Sequence, residues 1–329
     1  MSTTIRKHGY AWMLALLLLG TVLTGCGSQE EGNRPASGEL EGTITVSGAF
    51  ALYPMMIRWG EEFNKLYPDV TFDISAGGAG KGMADALAGA VDIGMVSRPI
   101  FDEEIEKGAF WVPVAKDAVL CTINAQNPVL EQLLAQGITR ATGEGIWITG
   151  EITTWAQVVN GESGTDSEIH VYTRADACGA AQTWAQYLGD YEQEDLQGIA
   201  VQADPGLAEA VHQDSLGIGF NNLNFAYDAN TGAPLAGLQI IPLDIDENGQ
   251  IDPEESFYDS KANLMKAIAE GRYPSPPSRA LNLVTKGKPD GLVNTFTQWV
   301  MTDGQQYLEE VGYIPLTQEQ LDEGLLKLN

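Results

Sequence analysis

Three junctions in the sequence concentrate the small residues with which a polypeptide backbone can hold an anion. They are Ser47-Gly48-Ala49-Phe50-Ala51, Gly77-Gly78-Ala79-Gly80-Lys81-Gly82 and Arg174-Ala175-Asp176-Ala177-Cys178-Gly179-Ala180. Each joins a strand-like run to a stretch with helical spacing. The first turn of a helix carries N–H groups with no intrahelical acceptor, its field favours negative charge, and small residues let a ligand approach the main chain. One such turn alone is equally a plain connection; three together point to an oxyanion. A second pattern suits a cation. Residues 244–255 match the loop D-x-[DN]-x-[DN]-G-x5-E. Asp244, Asp246 and Asn248 would supply side-chain oxygens, Gln250 its carbonyl, Asp252 a direct or water-mediated contact, and Glu255 two carboxylate oxygens, with Gly249 at the sharp turn. The expectation is a structural Ca2+; the alternative is a solvated acidic turn, in a chain with 45 Asp and Glu.

Catalytic chemistry finds no comparable support. Beyond the first 26 residues the histidines are His170, inside a strand-like run, and His212, on the last turn of a helical one, and both read as structural or surface groups. No G-x-S-x-G, H-E-x-x-H or P-loop signature occurs. The expectation is a binding protein with no catalytic cofactor. The formal net charge of −27, with no basic tail or stripe, argues against nucleic acid as a partner. Such a body repels anions at long range, so an anion site has to be built locally from arginine and backbone N–H groups. Cys121 and Cys178 allow at most one disulfide beside Cys26.

The elements that must position these residues alternate along the chain. A strand over residues 42–47 precedes a helix over 52–67, with Met56, Trp59 and Phe63 on one face. A strand over 69–75 leads through the glycine run into a helix bearing Met83 and Leu87, and a short buried strand over 91–96 ends at Ser97-Arg98. Repeated strand, turn and helix predict a parallel α/β sheet with crossover helices. Residues 111–123 read as two apolar strands broken at Lys116-Asp117. Strands over 169–172, 199–202, 218–220, 238–243 and 281–285 then alternate with helices over 178–188, 207–212, 260–270 and 292–301. At 329 residues and 44% hydrophobic, the chain can bury a large core in one domain or two.

The beginning of the chain reads differently. Arg6, Lys7 and His8 precede an apolar run over residues 11–22, of signal-peptide length and too short to span a bilayer. It ends in Leu23-Thr24-Gly25-Cys26, which resembles a bacterial lipobox. That resemblance implies a signal peptide over residues 1–25, a diacylglycerol on the Cys26 sulfur, a flexible tether over 26–41 and a domain outside the cytoplasmic membrane. The alternative is an ordinary secretory signal that contains a cysteine.

Over residues 42–316 the chain resembles the substrate-binding proteins of phosphate ABC transporters, which are type II periplasmic binding proteins. Five motifs carry the resemblance. Family members read like S-G-S-x-T, G-G-S-G-x-G, A-D-I-G-x-x-S-R, R-x-x-S-G-T and I-G-Y. Here these are Ser47 to Ala51 as spelled above, the glycine run from Gly77 to Gly82, Val91-Asp92-Ile93-Gly94-Met95-Val96-Ser97-Arg98, Arg174 to Ala180 as spelled above, and Ile218-Gly219-Phe220. Tyr273-Pro274-Ser275-Pro276-Pro277-Ser278-Arg279 looks like the family less specifically. The resemblance implies an α/β fold of two lobes, residues 42–117 with 279–329 and residues 118–278, with a hinge and a ligand cleft between them. It implies a monomer that captures inorganic phosphate and delivers it to the permease subunits of an ABC importer.

The implied ligand-binding residues are Gly48, Ala49, Phe50, Ala51, Gly78, Ala79, Gly80, Ser97, Arg98, Arg174, Asp176, Cys178, Gly179 and Ala180, with Ser75 as a further hydroxyl donor. Arg98 and Arg174 would offer paired donors to the oxyanion. Asp176 would orient Arg174 or accept a proton from the ligand. Ala49, Ala51, Ala79, Cys178 and Ala180 stand where family members carry hydroxyls. Sulfate, molybdate or tungstate binding, or an adhesin or signalling lipoprotein that retains the fold, are therefore the alternatives.

Overall fold

The structure is a computed structural model, and it describes residues 40–159 and 167–329. The expected signal peptide, Cys26 and nearly all of the tether lie outside the described residues. The chain runs through β1 (Gly42–Gly48), α1 (Tyr53–Leu66), β2 (Val70–Ala76), α2 (Ala79–Ala88), β3 (Ile93–Val96), α3 (Asp102–Glu106) and the long β4 (Ala109–Asn124). It continues with α4 (Leu130–Gln136), α5 (Arg140–Glu144), α6 (Trp155–Val158), β5 (His170–Arg174), α7 (Gly179–Leu188), β6 (Ile199–Val201), α8 (Ala203–Gln213), β7 (Gly217–Asn222), β8 (Leu238–Ile240) and α9 (Lys261–Ala269). The last elements are β9 (Ser278–Lys286), α10 (Gly291–Val300), α11 (Leu308–Val311) and α12 (Gln318–Leu328).

The strand order is β2-β1-β3-β9-β4-β7-β5-β6, with β8 on β4. The expected parallel pairing holds within each end: β1 with β2 and β3, and β5 with β6 and β7. The middle is antiparallel, because β4 pairs with β9 over Ala109 to Ala118 and then with β7 over Val119 to Ile123. The expected break at Lys116-Asp117 is corrected: β4 is one 16-residue strand through both residues. The charged pair does not interrupt it because each member has a partner at the crossing. The Lys116 main chain exchanges hydrogen bonds with Ile314, at 2.8 and 3.1 Å. The Asp117 carboxylate is buried against Arg279.

Two hydrophobic clusters flank the crossing. One joins Ile44, Trp59, Phe63 and Met95 to Phe296, Trp299 and Val300 from the far end of the chain. Its aromatic rings meet edge to face, with Phe63 at 5.1 Å from Phe296 and 5.4 Å from Trp299. The other contains Val119, Trp147, Trp184, Phe220, Leu243 and Tyr273. Trp184 stacks on Phe220 at 6.0 Å and meets Trp147 at 5.3 Å, which fixes the helix α7 that begins at Gly179. Among the described residues no helix is long and apolar enough to cross a membrane.

Candidate anion-binding cleft

The first two junctions form one corner. Gly48 (φ 134°) and Gly78 (φ 93°) take backbone conformations that suit glycine, and Gly48 O accepts the N–H groups of Gly77 and Gly78 at 2.9 and 3.0 Å. The Ala49 N–H is bound to Met95 O at 2.9 Å. The third junction faces this corner from the second cluster. Gly80 N–H donates to Ala177 O at 3.0 Å, and the Arg174 guanidinium lies 5.8 Å from the centre of the Phe50 ring. Gly179 packs so closely on Ser97 that a Cβ there would collide with the Ser97 carbonyl oxygen and Oγ. The structure thus brings Gly48 to Phe50, Gly78 to Gly80, Ser97, Arg174, Asp176 and Cys178 to Ala180 together where the two clusters face each other.

Cys178 caps α7: its Sγ accepts the Ala181 N–H at 3.4 Å, and its own N–H is taken by Gln193 Oε1 at 2.8 Å. The N–H groups of Gly179 and Ala180 are the first-turn donors that a helix leaves without intrahelical acceptors. Burial pushes the Cys178 thiol up to about 12, against the pull of Arg174, so it stays neutral.

Arg174 is 1% exposed and carries most of the local electrostatics. Its Nε and NH2 donate to Asp176 Oδ1 and Oδ2 at 2.9 and 2.6 Å, while NH1 lies 2.7 Å from Asp204 Oδ2. Burial opposes its charge, but the Asp204 and Asp176 carboxylates outweigh burial and raise its pKa. Asp204 Oδ1 accepts from Asn222 Nδ2 at 2.5 Å, and Asn222 Oδ1 accepts from Arg279 NH2. Arg279 NH1 donates to Thr183 Oγ1 at 3.1 Å, and NH2 lies 3.4 Å from Asp117 Oδ2. Burial raises the Asp117 carboxyl to about 6 against the pull of Arg279.

Three carboxylates therefore surround two guanidiniums in a chain of contacts from the cleft to the β4–β9 crossing. Nothing in the spacing marked Asp117, Thr183, Asp204 or Asn222. Arg279 had a weak signal, as the last residue of the segment that begins at Tyr273.

Two of the expected ligand residues have other partners in this structure. Arg98 turns away from the cleft: NH1 and NH2 donate to Glu104 Oε2 and Oε1 at 2.9 and 2.7 Å, NH1 also reaches Pro99 O, and the guanidinium covers the Phe101 ring. Burial would raise the Glu104 carboxyl, but Arg98 and the Phe101 N–H hold it below its ordinary value. Ser75 sits exposed on the edge strand β2, with its hydroxyl on Val46 O at 3.3 Å. Strand alternation turns it away from the cleft.

The acidic loop is folded tightly. Carboxylate oxygens of Asp244, Asp246 and Glu255 all lie within 4.8 Å of one another. Asp244 accepts the N–H groups of Asn248 and Gly249 at 3.2 and 2.8 Å, and Asn248 Oδ1 accepts that of Gln250 at 2.9 Å. Asp252 joins through Asn248 Nδ2 at 2.9 Å. The Ile251 N–H bonds to Ala135 O at 2.9 Å and fastens the loop to α4.

Two linked α/β halves that bring main-chain donors and a buried arginine face to face define a bilobal α/β fold. The chain belongs to the PBP superfamily, whose domain matches residues 33–304. It is similar to the phosphate-binding protein PstS of Bacillus subtilis, 25% identical over 321 residues, covering 95% of this chain and 96% of that protein. It is also similar to protein SphX of Synechococcus elongatus, 25% identical over 281 residues, covering 83% of this chain and 77% of that protein. Among solved structures, it resembles a putative phosphate ABC transporter substrate-binding protein with bound phosphate from Clostridium perfringens. That likeness has a TM-score of 0.66 at 20% identity and covers 84% of this chain and all of that one. An ABC-type phosphate transport receptor from Vibrio cholerae gives a TM-score of 0.61 at 21% identity, covering 84% of this chain and 100% of that one. The fold is that of the type II periplasmic binding proteins.

Proposed function

We propose that this protein captures inorganic phosphate outside the cytoplasm and delivers it to the permease subunits of an ABC importer. It is a binding protein and not an enzyme. The observation that carries the reading is Arg174, 1% exposed, set at the mouth of the α7 first turn and facing the Phe50 and Gly78 corner. A guanidinium and converging N–H groups in a dry cleft suit a tetrahedral oxyanion. The proposed donors are Arg174, the Ser97 hydroxyl and the N–H groups of Phe50, Ala51, Ala79, Gly179 and Ala180. Names and bound ligand among the relatives favour phosphate over sulfate, molybdate or tungstate. Residues 42–117 with 279–329 and residues 118–278 act as the two closing bodies. A lipid on Cys26 and the tether after it hold a monomer at the membrane. Calorimetry on exhaustively dialysed protein should rank phosphate first among the four anions. A preference for sulfate would assign another oxyanion, and no binding of any would favour an adhesin or signalling role.

We also propose that the loop 244–255 holds a structural Ca2+ through Asp244, Asp246, Asn248, Gln250, Asp252 and Glu255. Ligand spacing and the gathering of three of its carboxylates support this. Because an ion that binds only the folded state stabilises it by mass action, calcium added to chelator-treated protein should raise the melting temperature. No binding and no shift at millimolar calcium, with Asp244→Ala behaving as wild type, would reject the site and leave the phosphate reading intact.

A further inference from the structure

A second contact between the halves, besides that of Ser97 with Gly179, runs through Lys261, the first residue of α9. Its main-chain N–H is held by Gly232 O at 2.8 Å, and Leu264, Ala267 and Ile268 fasten the helix to the second cluster. The side chain reaches the other way. Lys261 is 9% exposed, and its Nζ donates to Val311 O at 3.3 Å, at the C-terminal end of α11. A helix end leaves such carbonyls without intrahelical donors and favours a cation. Val311 packs with Leu308 and Tyr313 in the first cluster, so this bond joins one half to the other. Gly312 (φ 93°) makes room for it: a Cβ there would fall on Lys261 Nζ and crowd Asn224 Oδ1, both from the second half. Burial works against the ammonium and lowers its pKa, with Asp117 pulling the other way. An apolar side chain of the same length would spare that cost, so stability alone does not account for lysine at this position.

The residue after Gly312 leads to the anion site. Tyr313 is fully buried, and its Oη donates to Ala51 O at 2.7 Å. That bond pins the main chain just beyond the Phe50 and Ala51 N–H groups, two of the proposed phosphate donors. We propose that Lys261 is a positioning residue for phosphate capture: it clasps the end of α11 when the halves close, and through Gly312 and Tyr313 it sets the first junction around the ligand. This rests on the phosphate reading above. Lys261 acts without touching the ligand. Because donor and acceptor sit on bodies that part on opening, the bond stabilises the closed state and slows release more than it alters capture.

The test measures phosphate affinity by calorimetry and the release rate by dilution of radiolabelled phosphate, in wild type, Lys261→Met, Tyr313→Phe and the double variant. Lys261→Met keeps the length of the side chain and removes the donor. It should weaken affinity about 10-fold, through faster release, while the unliganded melting temperature stays near that of wild type. Tyr313→Phe should weaken affinity to a similar degree. The double variant should be no more than about twofold worse than the weaker-binding single one, because both changes act on Ala51 through the same segment. If the methionine variant melts early, Lys261→Gln replaces it, since its amide ends short of Val311. Wild-type affinity and release in the folded Lys261 variant, or two losses that simply multiply in the double variant, overturns the proposal while phosphate capture stands. A wild-type protein that binds no phosphate overturns both.

Discussion

Arg174→Ala is expected to weaken phosphate binding by about 10- to 100-fold for each ligand hydrogen bond lost, since a charge-assisted bond contributes roughly 1.5–3 kcal/mol and 1.4 kcal/mol is a factor of ten. The same change removes the counter-charge of Asp176 and Asp204, whose side chains are 7% and 2% exposed. Leaving one partner of a buried pair alone costs about 3–5 kcal/mol, so the empty variant should also unfold at lower denaturant. Titration calorimetry and chemical denaturation measure the two effects separately. Arg140→Ala is the control: that guanidinium lies over the Tyr187 ring at 5.5 Å, outside every junction, and its loss should leave affinity unchanged. Arg98→Ala should also change affinity much less than Arg174→Ala, because Glu104 already occupies its guanidinium. Wild-type affinity in Arg174→Ala would remove this residue from the site.

Gly179→Ala is the second expected result, and it isolates closure from folding. Alanine in a helix is favoured over glycine by roughly 1 kcal/mol, so α7 itself should not suffer. Yet the added Cβ meets the main-chain oxygen and hydroxyl of Ser97 on the opposing half. A main-chain neighbour cannot rotate out of the way, so the variant should keep its unliganded melting temperature and lose phosphate affinity by at least about 30-fold, as the closed state is depopulated. X-ray scattering should show the wild type contracting with phosphate and the variant remaining extended. A variant that binds and contracts like wild type would mean that the tight Ser97 contact does not limit closure.

The cleft was legible in the sequence where its parts are local. Gly48, Gly78 and Gly179 each sit within a few residues of the donors they expose, so strand, turn and helix are read in one short window. Asp204, Asn222, Arg279 and Asp117 come from four separate elements, α8, β7, β9 and β4. Only strand register brings Arg279 opposite Asp117 and Asn222 opposite Val119. No spacing rule could show this. The partner of Arg98 was not legible, because the carboxylate that holds it lies six positions on at Glu104. The face that Ser75 takes was equally hard to read, since one step along a strand reverses it. Lys116-Asp117 misled because charge in an apolar run ordinarily marks a turn, whereas here it marks the point where β4 passes from one cluster to the other.

That passage bears on the order in which the polypeptide can acquire its structure as it is synthesised. The cluster around Ile44, Trp59 and Phe63 is completed by Leu283, Phe296, Trp299 and Val300. β3 finds its antiparallel neighbour only in β9. A ribosome that has made the first hundred residues has therefore released β3, whose antiparallel partner is more than 150 positions away. Contacts of such sequence separation form slowly. The intervening half, whose cluster draws on Ala118 to Tyr273 with Ile314 from beyond β9, has nearly all of its apolar residues on one continuous stretch of chain, made before Leu283 and Val300 emerge. The molecule should thus nucleate from its middle outward, with its two ends meeting last.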